Sequence, residues 1–343
     1  MCRERVLVAG GTGHFGRLLV EDLRRHTNCE VIIAGRHPAD VSNPASLEAA
    51  LTGVSVAICA AGPFQTLPVS LAELCLRKGI HYIDLADDRN FVRKVRSLLS
   101  IPHENLPAVC TGWSTVSALS GLLARIGAAG LKTVTSIHIH MAPGNRVPRS
   151  VGTIASLLHS VGQRFNVLRD GSWCTVRGWS EGRDFVFPAP IGRHRGYLVD
   201  VPDHEFFPDL FHARTVEFRT ASELQILNVT VSSLCWFVRT GFVRSWVSWS
   251  RIFQRAAGML GFIGHDWGGV GVEVAGPNGR RRVSLIADSG GQRIAVMPAS
   301  VMTASLLAGS TRQGLVSPSD WLSPEELADE SAKRGFRLIV EEL

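Results

Sequence analysis

A glycine-rich turn near the amino terminus constrains the fold of this chain more than any other feature. The apolar run Val6–Ala9 leads directly into Gly10-Gly11-Thr12-Gly13-His14-Phe15-Gly16. An amphipathic helix ending near His26 follows the turn, and Cys29–Ala34 has the β-branched composition of a second buried strand. Because strand, turn, helix and strand occupy about 30 residues, the segment predicts a site for the pyrophosphate of a dinucleotide.

Each glycine of the turn has a separate expected role. We expect Gly11 to permit the tight turn, Gly13 to let the backbone approach the pyrophosphate, and Gly16 to let the helix pack closely. The N–H groups and the positive dipole end of the helix would hold the anion. The residues predicted to line this part of the site are Gly11, Thr12, Gly13, His14, Phe15 and Gly16.

The end of the second strand bears on the choice of cofactor. An NAD site places Asp or Glu there, whereas this chain has Gly35-Arg36-His37. A guanidinium suits a 2′-phosphate, so the sequence favours NADP; the alternative is that Arg36 is a solvated surface arginine. His37, Asp40 and Val41 lie in the following loop and are predicted to contact the cofactor.

Strands and helices continue to alternate up to about residue 120. This pattern predicts an α/β domain with a doubly wound parallel sheet, whose ligands bind beyond the carboxyl ends of the strands. Two loops fall at that rim, one after the strand ending at Ala60 and one after the strand ending at Cys110. The rim residues predicted to contact the cofactor are Ala60, Ala61, Gly62, Pro63, Phe64 and Gly112.

The candidate catalytic residues come from the strand over residues 81–85 and the loop that follows it. We expect Asp84 and Asp87 to orient the substrate or transfer a proton, and Tyr82 to be a possible proton donor. The alternative for Asp84 is a buried cap that holds the turn after the strand. With Tyr82 and Tyr197 as the chain's two tyrosines, no Tyr-x-x-x-Lys pair occurs, which argues against short-chain-dehydrogenase chemistry.

Several of these segments resemble the saccharopine dehydrogenase (reductase) NADP-binding family. The likeness rests on Ala61-Gly62-Pro63-Phe64, on Gly79–Ala86, and on a closing stretch that contains Met297-Pro298-Ala299 and Arg334-Gly335-Phe336. Members are NADP-dependent oxidoreductases; many act at a carbon–nitrogen bond, and others reduce lipid-type substrates. The family also implies that the carboxyl-terminal segment packs back on the first domain. One departure is Ser117, where some relatives have proline.

The remaining chain predicts a second domain of α+β type with a mostly antiparallel sheet. We therefore expect domains at 1–120 and 121–292, with 293–343 returning to the first.

In the alternating stretch Val134–Met141, His138 and His140 share one face. Two histidines without a third ligand at suitable spacing are weak evidence for metal, so we expect no metal site and assign them as surface or site-lining residues.

A stretch without acidic residues runs from Leu224 to His265. Its aromatic residues fall at helical spacing on one face, and arginines fall on the opposite face. Core or dimer packing would explain the pattern; a substrate tunnel or contact of residues 236–255 with an anionic membrane surface would also do so. The aromatic residues are Phe242, Trp246, Trp249 and Phe253, and the arginines are Arg244, Arg251 and Arg255.

Composition excludes or disfavours several classes of protein function. A net charge of +6 on 343 residues does not indicate a nucleic-acid binder. The seven scattered cysteines, without a C-x-x-C pair, predict reduced thiols in a cytoplasmic protein, and we expect no signal peptide because the charged first residues lead directly into Val6–Val8. We expect a homodimeric NADP-dependent oxidoreductase that transfers a hydride at a small-molecule C=N, C=O or C=C bond. The alternatives are a non-catalytic NADP(H)-binding redox sensor and a membrane-associated enoyl reductase of lipid-type substrates.

Overall fold

The computed structural model describes residues 3–35, 44–100, 106–146 and 150–343. These residues divide into two compact units. The first contains residues 1–119 and 295–321, and the second contains 120–294 and 322–343.

The first unit alternates strands and helices, as the sequence predicts. Residues Val6 to Ala9 are fully buried because a parallel strand with neighbours on both sides exposes neither face. The strands are β1 (Arg5–Ala9), β2 (Glu30–Ala34), β3 (Val56–Cys59), β4 (His81–Asp84) and β5 (Ala108–Cys110). The helices are α1 (His14–His26), α2 (Pro44–Ala50), α3 (Ser70–Lys78) and α4 (Arg89–Ser97).

The second unit is built around a larger mixed sheet. Helix α5 (Ala118–Ala128) begins at the boundary between the units and continues into the second. The strands are β6 (Ser136–Pro143), β7 (Arg164–Arg169), β8 (Ser172–Arg177), β9 (Arg183–Val186), β10 (Arg193–Leu198), β11 (Thr215–Thr220), β12 (Gly268–Gly276) and β13 (Gly279–Ala287). The helices are α6 (Val151–Ser160), α7 (Asp203–Phe211), α8 (Gln225–Arg239) and α9 (Ser250–Met259).

The carboxyl-terminal elements are shared between the units. Helix α10 (Met297–Leu307) packs against α1, and the short strand β14 (Gly314–Leu315) pairs with β5 in the first unit. Helix α11 (Pro324–Ala332) and strand β15 (Phe336–Glu342) belong to the second unit. The predicted return of the whole segment 293–343 to the first domain therefore differs from the structure. The physical reason is that β15 pairs with β13 along its full length and extends the second sheet.

The order and direction of the strands define each of the two sheets. The first sheet runs β14-β5-β4-β3-β1-β2 with parallel neighbours, so the chain reverses direction across the sheet between β1 and β3. The second runs β15-β13-β12-β6-β11-β10-β9, with β6 and β11 parallel and the other pairs antiparallel. The predicted fold class, a doubly wound parallel sheet plus a mostly antiparallel α+β unit, is confirmed.

The predicted single helix through the aromatic and arginine residues is wrong. Helix α8 ends at Arg239, Gly241 takes a left-handed conformation with φ of +82°, and α9 begins at Ser250. Glycine adopts this conformation without steric cost where α8 ends, and Phe242 and Trp246 lie in the connection before α9 rather than in a helix. Phe242 therefore does not share a helix face with Phe253. Within the described ranges, no helix is both long and apolar enough to cross a membrane.

Candidate nucleotide-binding site

The turn between β1 and α1 is folded tightly on itself. The Gly10 N–H donates to the carbonyl of Ala34 at 2.7 Å, and the Gly13 N–H donates to the carbonyl of Gly10 at 2.9 Å. A Cβ on Gly16 would lie 2.0 Å from the Gly10 oxygen, so only glycine allows the first turn of α1 to lie against the loop. The sequence expectation for Gly16, close packing of the helix, matches this contact.

The residue that needs glycine for its backbone angle is Gly10, not Gly11. Gly10 has φ of +82°, and a Cβ there would lie 2.6 Å from the Ala61 nitrogen. Gly11 is required for space instead, because its Cβ would approach a methyl group of Ile33 to 2.9 Å. The motif alone does not show which glycine is needed for a positive φ angle and which is needed because a side chain would clash.

The amino end of α1 has the features of an anion site. Its N-cap is Gly13, and no described side chain caps the helix or places an acid in its first turn. The first N–H groups of a helix have no partner within the helix, and the dipole there favours negative charge. Thr12 is exposed, whereas His14 and Phe15 are half-buried with their rings edge to face at 5.3 Å.

Four of the predicted cofactor contacts lie outside the described residues. They are Arg36, His37, Asp40 and Val41. The expectation of NADP rather than NAD therefore stays a prediction from the sequence.

The loop after β3 lies beside the glycine turn. Ala60 donates its N–H to the Ala9 carbonyl at 2.8 Å, which carries the sheet pairing up to the rim. Gly62 is exposed, and a Cβ there would have no heavy atom within 4 Å. After Pro63, Phe64 turns into the core and meets Phe91 of α4 edge to face at 5.0 Å. The loop is thus anchored at both ends and open at Gly62.

Asp84, the last residue of β4, is fully buried. Its Oδ1 accepts hydrogen bonds from the N–H groups of Gly112 at 2.8 Å and Ala86 at 3.0 Å. The Asp84 carbonyl also accepts from the Trp113 N–H at 2.7 Å. This is the geometry of a buried cap that joins two rim loops, the alternative that the sequence leaves open.

The surroundings of Asp84 are apolar and rich in thiols. Burial raises the pKa of Asp84 to about 6, against the lowering effect of the N–H donors of Gly112 and Ala86. Burial also raises the pKa of the Cys59 thiol to about 12 and the pKa of Tyr82 well above its ordinary value. Tyr82 is almost fully buried, so it lies beneath the rim rather than on it.

The other acids of this loop differ from Asp84 in role. Asp88 caps α4, since its side chain accepts from the Phe91 N–H at 2.8 Å. Asp87 is half-buried one position earlier. Of the two predicted acids, Asp87 is therefore the one partly accessible at the rim.

The loop after β5 is held by two left-handed residues. Gly112 has φ of +72° and Ser117 has φ of +63°. Proline fixes φ near −65°, so it could not adopt the angle found at Ser117. The conformation of this loop therefore excludes proline at position 117.

Two tryptophans support this loop from below and are not among the predicted site residues. Trp113 and Trp321 are buried with ring centroids 5.9 Å apart, and the Trp321 indole N–H donates to the Ala118 carbonyl at 2.8 Å. Arg312 fixes the Trp321 backbone by donating to its carbonyl at 3.1 Å. The distance in sequence between Trp113 and Trp321 leaves no local signal of the pair.

The two histidines singled out in the sequence belong to a buried ionic cluster of the second unit. His138 Nδ1 lies 3.2 Å from Glu217 Oε2, and Arg219 Nη1 lies 2.7 Å from the same oxygen. His140 is buried and stacks on Phe185 at 4.7 Å. Of the expectation that these histidines are surface or site-lining residues, the surface part is wrong for His140, because Phe185 of β9 packs on its ring, while His138 is half-buried and lies 2.9 Å from Arg183 of the same strand. Among the described residues, no group of three or more His, Cys, Asp or Glu side chains could hold a metal ion.

Comparisons with known proteins give distant likenesses. No family model matches the sequence. One relative, a trans-acting enoyl reductase of Mycobacterium ulcerans (strain Agy99), is 29% identical over 110 residues, a match that covers 26% of this chain and 26% of that protein. The matched region thus spans about a quarter of that curated relative.

Comparison with solved structures gives matches of low identity and TM-score. GenD2 from gentamicin A biosynthesis, in complex with NAD, has a TM-score of 0.44 and 14% identity over 100% of this chain and 97% of its own. Amine dehydrogenase from Mycobacterium smegmatis has a TM-score of 0.45 and 9% identity, covering 92% and 95%. Biliverdin reductase from Synechocystis sp. PCC 6803, with biliverdin and NADP+, has a TM-score of 0.40 and 11% identity, covering 92% and 94%.

Proposed function

We propose that this protein is an oxidoreductase that binds a nicotinamide dinucleotide at the first sheet. The observation that carries the proposal is the amino end of α1, which follows a tightly folded glycine turn and has no side-chain cap among the described residues. An anion at that position would accept hydrogen bonds from the N–H groups of the first turn of α1, which have no carbonyl partner within the helix itself.

The residues present fit such a cofactor. Gly13 would leave room for a pyrophosphate, because an added Cβ has only the Gly10 oxygen near it, at 3.1 Å, on the protein side. The open loop at Gly62 and the loop at Gly112 would border the nicotinamide half. When bound, the cofactor supplies or accepts a hydride, and the protein supplies orientation and exclusion of water.

We propose NADP as the cofactor, from the sequence position of Arg36 after β2. A guanidinium can form two parallel hydrogen bonds to a 2′-phosphate, while no carboxylate follows β2 directly to accept from a ribose hydroxyl.

In the proposed reaction, Asp84 is a positioning residue. Its two backbone hydrogen bonds hold Gly112 and Ala86, so it would fix the rim on which a substrate lies. Asp87 is the acid proposed to face the substrate or to pass a proton. Tyr82 would support Asp84 from within the core.

The proposed substrate is a small molecule with a C=N bond, on the resemblance to saccharopine dehydrogenase-like enzymes. Reduction of a C=C bond is the second candidate, favoured by the 29% identity to a protein named as an enoyl reductase. Membership of the saccharopine dehydrogenase-like family is likewise part of the proposal.

The first experiment tests cofactor binding at the amino end of α1. Fluorescence titration of NADPH should give saturable binding to the wild type. A Gly13→Asp variant should keep its fold, because Asp is a favourable N-cap residue, and should lose binding by about tenfold or more through charge repulsion and bulk. Gly258→Asp is the matched control, since the Cβ added to this glycine of α9 in the second unit meets open space, and it should bind as the wild type does. Equal binding by Gly13→Asp would refute the site.

The second experiment tests cofactor choice and turnover. Arg36→Ala should weaken NADPH binding by about tenfold or more and leave NADH binding unchanged, as expected for loss of a charge-assisted hydrogen bond. Loss of NADPH absorbance with imines, with keto acids plus amines, and with enoyl compounds separates the two substrate classes. Binding without turnover across this panel would instead support a redox sensor.

A further inference from the structure

The acid-free stretch forms an exposed apolar surface on the second unit. Phe242 is 77% exposed, Met259 76% and Phe262 72%, values far above those of ordinary apolar side chains in a folded domain. We call this surface the basic aromatic patch. Its exposed apolar members are Ile226, Val229, Trp236, Phe237, Phe242, Trp249, Ile252, Met259, Phe262 and Ile263, and its exposed arginines are Arg239, Arg244, Arg251 and Arg255.

The patch is formed by the segment that connects β11 to β12. At its start, the buried Asn228 side chain accepts from the Ser222 N–H at 2.7 Å and donates to the Ser222 carbonyl at 2.8 Å. At its end, Asn145 Nδ2 donates to the carbonyls of Leu260 at 2.7 Å and Ile263 at 3.0 Å. Both ends are therefore tied to the body of the unit by buried amide groups.

Trp246 joins the two helices of the patch. Its indole N–H donates to the Leu234 carbonyl of α8 at 3.1 Å, and its ring meets those of Phe237 and Phe253 edge to face at 6.2 Å each. The half-buried Trp246 thus accounts for part of the aromatic content as internal packing. The strongly exposed Phe242, Met259 and Phe262 are not explained in this way.

The charge of the patch indicates what covers it. Four exposed arginines and no carboxylate lie between residues 224 and 265, and none of these arginines belongs to a salt bridge within the described chain. A second copy docked face to face would bring equal positive charge together, which opposes association. An anionic surface with an apolar interior satisfies both the arginines and the aromatic side chains.

We propose that the basic aromatic patch docks on an anionic lipid bilayer. Exposed Trp and Phe side chains partition to the interface of a bilayer, and exposed arginines pair with lipid phosphates. The apolar side chains and the charges supply two independent contributions, as stable peripheral binding requires. This inference stands apart from the nucleotide site, so either can fail alone.

The test is vesicle co-sedimentation with the full chain. Vesicles of equal parts phosphatidylcholine and phosphatidylglycerol should pellet the wild type, and raised salt should release it in part. Phosphatidylcholine alone should bind several-fold less. Arg244→Ser and Arg251→Ser should each weaken binding by about fivefold, and Phe242→Glu/Phe262→Glu should abolish it. Trp173→Glu is the matched control, an exposed tryptophan on β8 outside the patch, and should bind as the wild type does.

Three results would overturn the proposal. One is a wild type that does not pellet with the anionic vesicles. The second is equal binding by the Phe242→Glu/Phe262→Glu variant, with circular dichroism showing it folded. The third is light scattering that shows a wild-type dimer which Phe242→Glu converts to monomer, because the patch would then bind a second copy.

Discussion

The two units each bury a carboxylate in a sheet, and the two carboxylates are stabilised in opposite ways. Asp84 in the first unit receives backbone N–H groups in apolar, thiol-rich surroundings, and its pKa is raised to about 6. Burial would also raise the pKa of Glu217 in the second unit, but His138 and Arg219 beside it hold the pKa well below its usual range.

This difference shows that burial alone does not decide the charge of an acid. Two N–H dipoles fix the position of Asp84 but do not compensate fully for its lost hydration, whereas the guanidinium charges of Arg219 and Arg169, with the contact of His138, do so for Glu217. The first arrangement gives a rim with defined loop geometry. The second ties strands β6, β7 and β11 together through His138, Arg169 and Arg219.

Removing Glu217 should have the largest effect on stability. Glu217→Ala would leave the buried Arg219 without its carboxylate partner, which costs about 3–5 kcal/mol of unfolding free energy in urea melts. The loss should shrink as pH falls through the folded pKa of Glu217, well below the unfolded value near 4.5, because the pKa is depressed in the folded state. Glu181→Ala is the control: Glu181 also pairs with Arg169 but is exposed, so its loss should cost under about 1 kcal/mol. Equal costs for the two variants would show that the buried carboxylate of Glu217 contributes no more to stability than the exposed carboxylate of Glu181.

Asp84→Asn tests the raised pKa of Asp84 through the pH dependence of the free energy of unfolding. Since the folded pKa is raised, ionisation of Asp84 costs stability as pH rises from about 3.8 to about 6. The variant lacks this cost and retains an oxygen acceptor for Gly112 and Ala86. Its stability relative to the wild type should therefore improve by up to about 3 kcal/mol between pH 4 and pH 7, measured by urea unfolding at each pH. A constant difference across this range would contradict the raised pKa.

Trp321→Phe should give the smallest effect. The phenyl ring can still pack on Trp113, but the Ala118 carbonyl loses the indole N–H and the smaller ring leaves space unfilled, so the first unit should lose about 1–2 kcal/mol. Thermal unfolding of this variant is to be compared with Trp173→Phe, whose exposed ring should change stability by under about 0.5 kcal/mol. A Trp321→Phe variant as stable as its control would show that the hydrogen bond contributes nothing.

The sequence was sufficient where structure follows from neighbours along the chain. The alternation of β1, α1 and β2 and the glycine turn are local patterns of apolar spacing and glycine placement, so they predict the doubly wound sheet and the rim residues. The late start of α9 at Ser250 was not predicted, because the aromatic residues from Phe242 to Phe253 keep helical spacing although Phe242 and Trp246 lie outside any helix.

Only the tertiary structure decided which partners distant residues have. The role of Asp84 as a cap depends on Gly112, the burial of His140 depends on Phe185, and the placement of β15 depends on β13. These contacts join residues far apart in sequence, and no local periodicity records them. The residues of this chain determine which segments are strands, helices and turns, whereas burial and charge are set by what the folded chain places beside them, since hydration and Coulomb energy depend on distance in space.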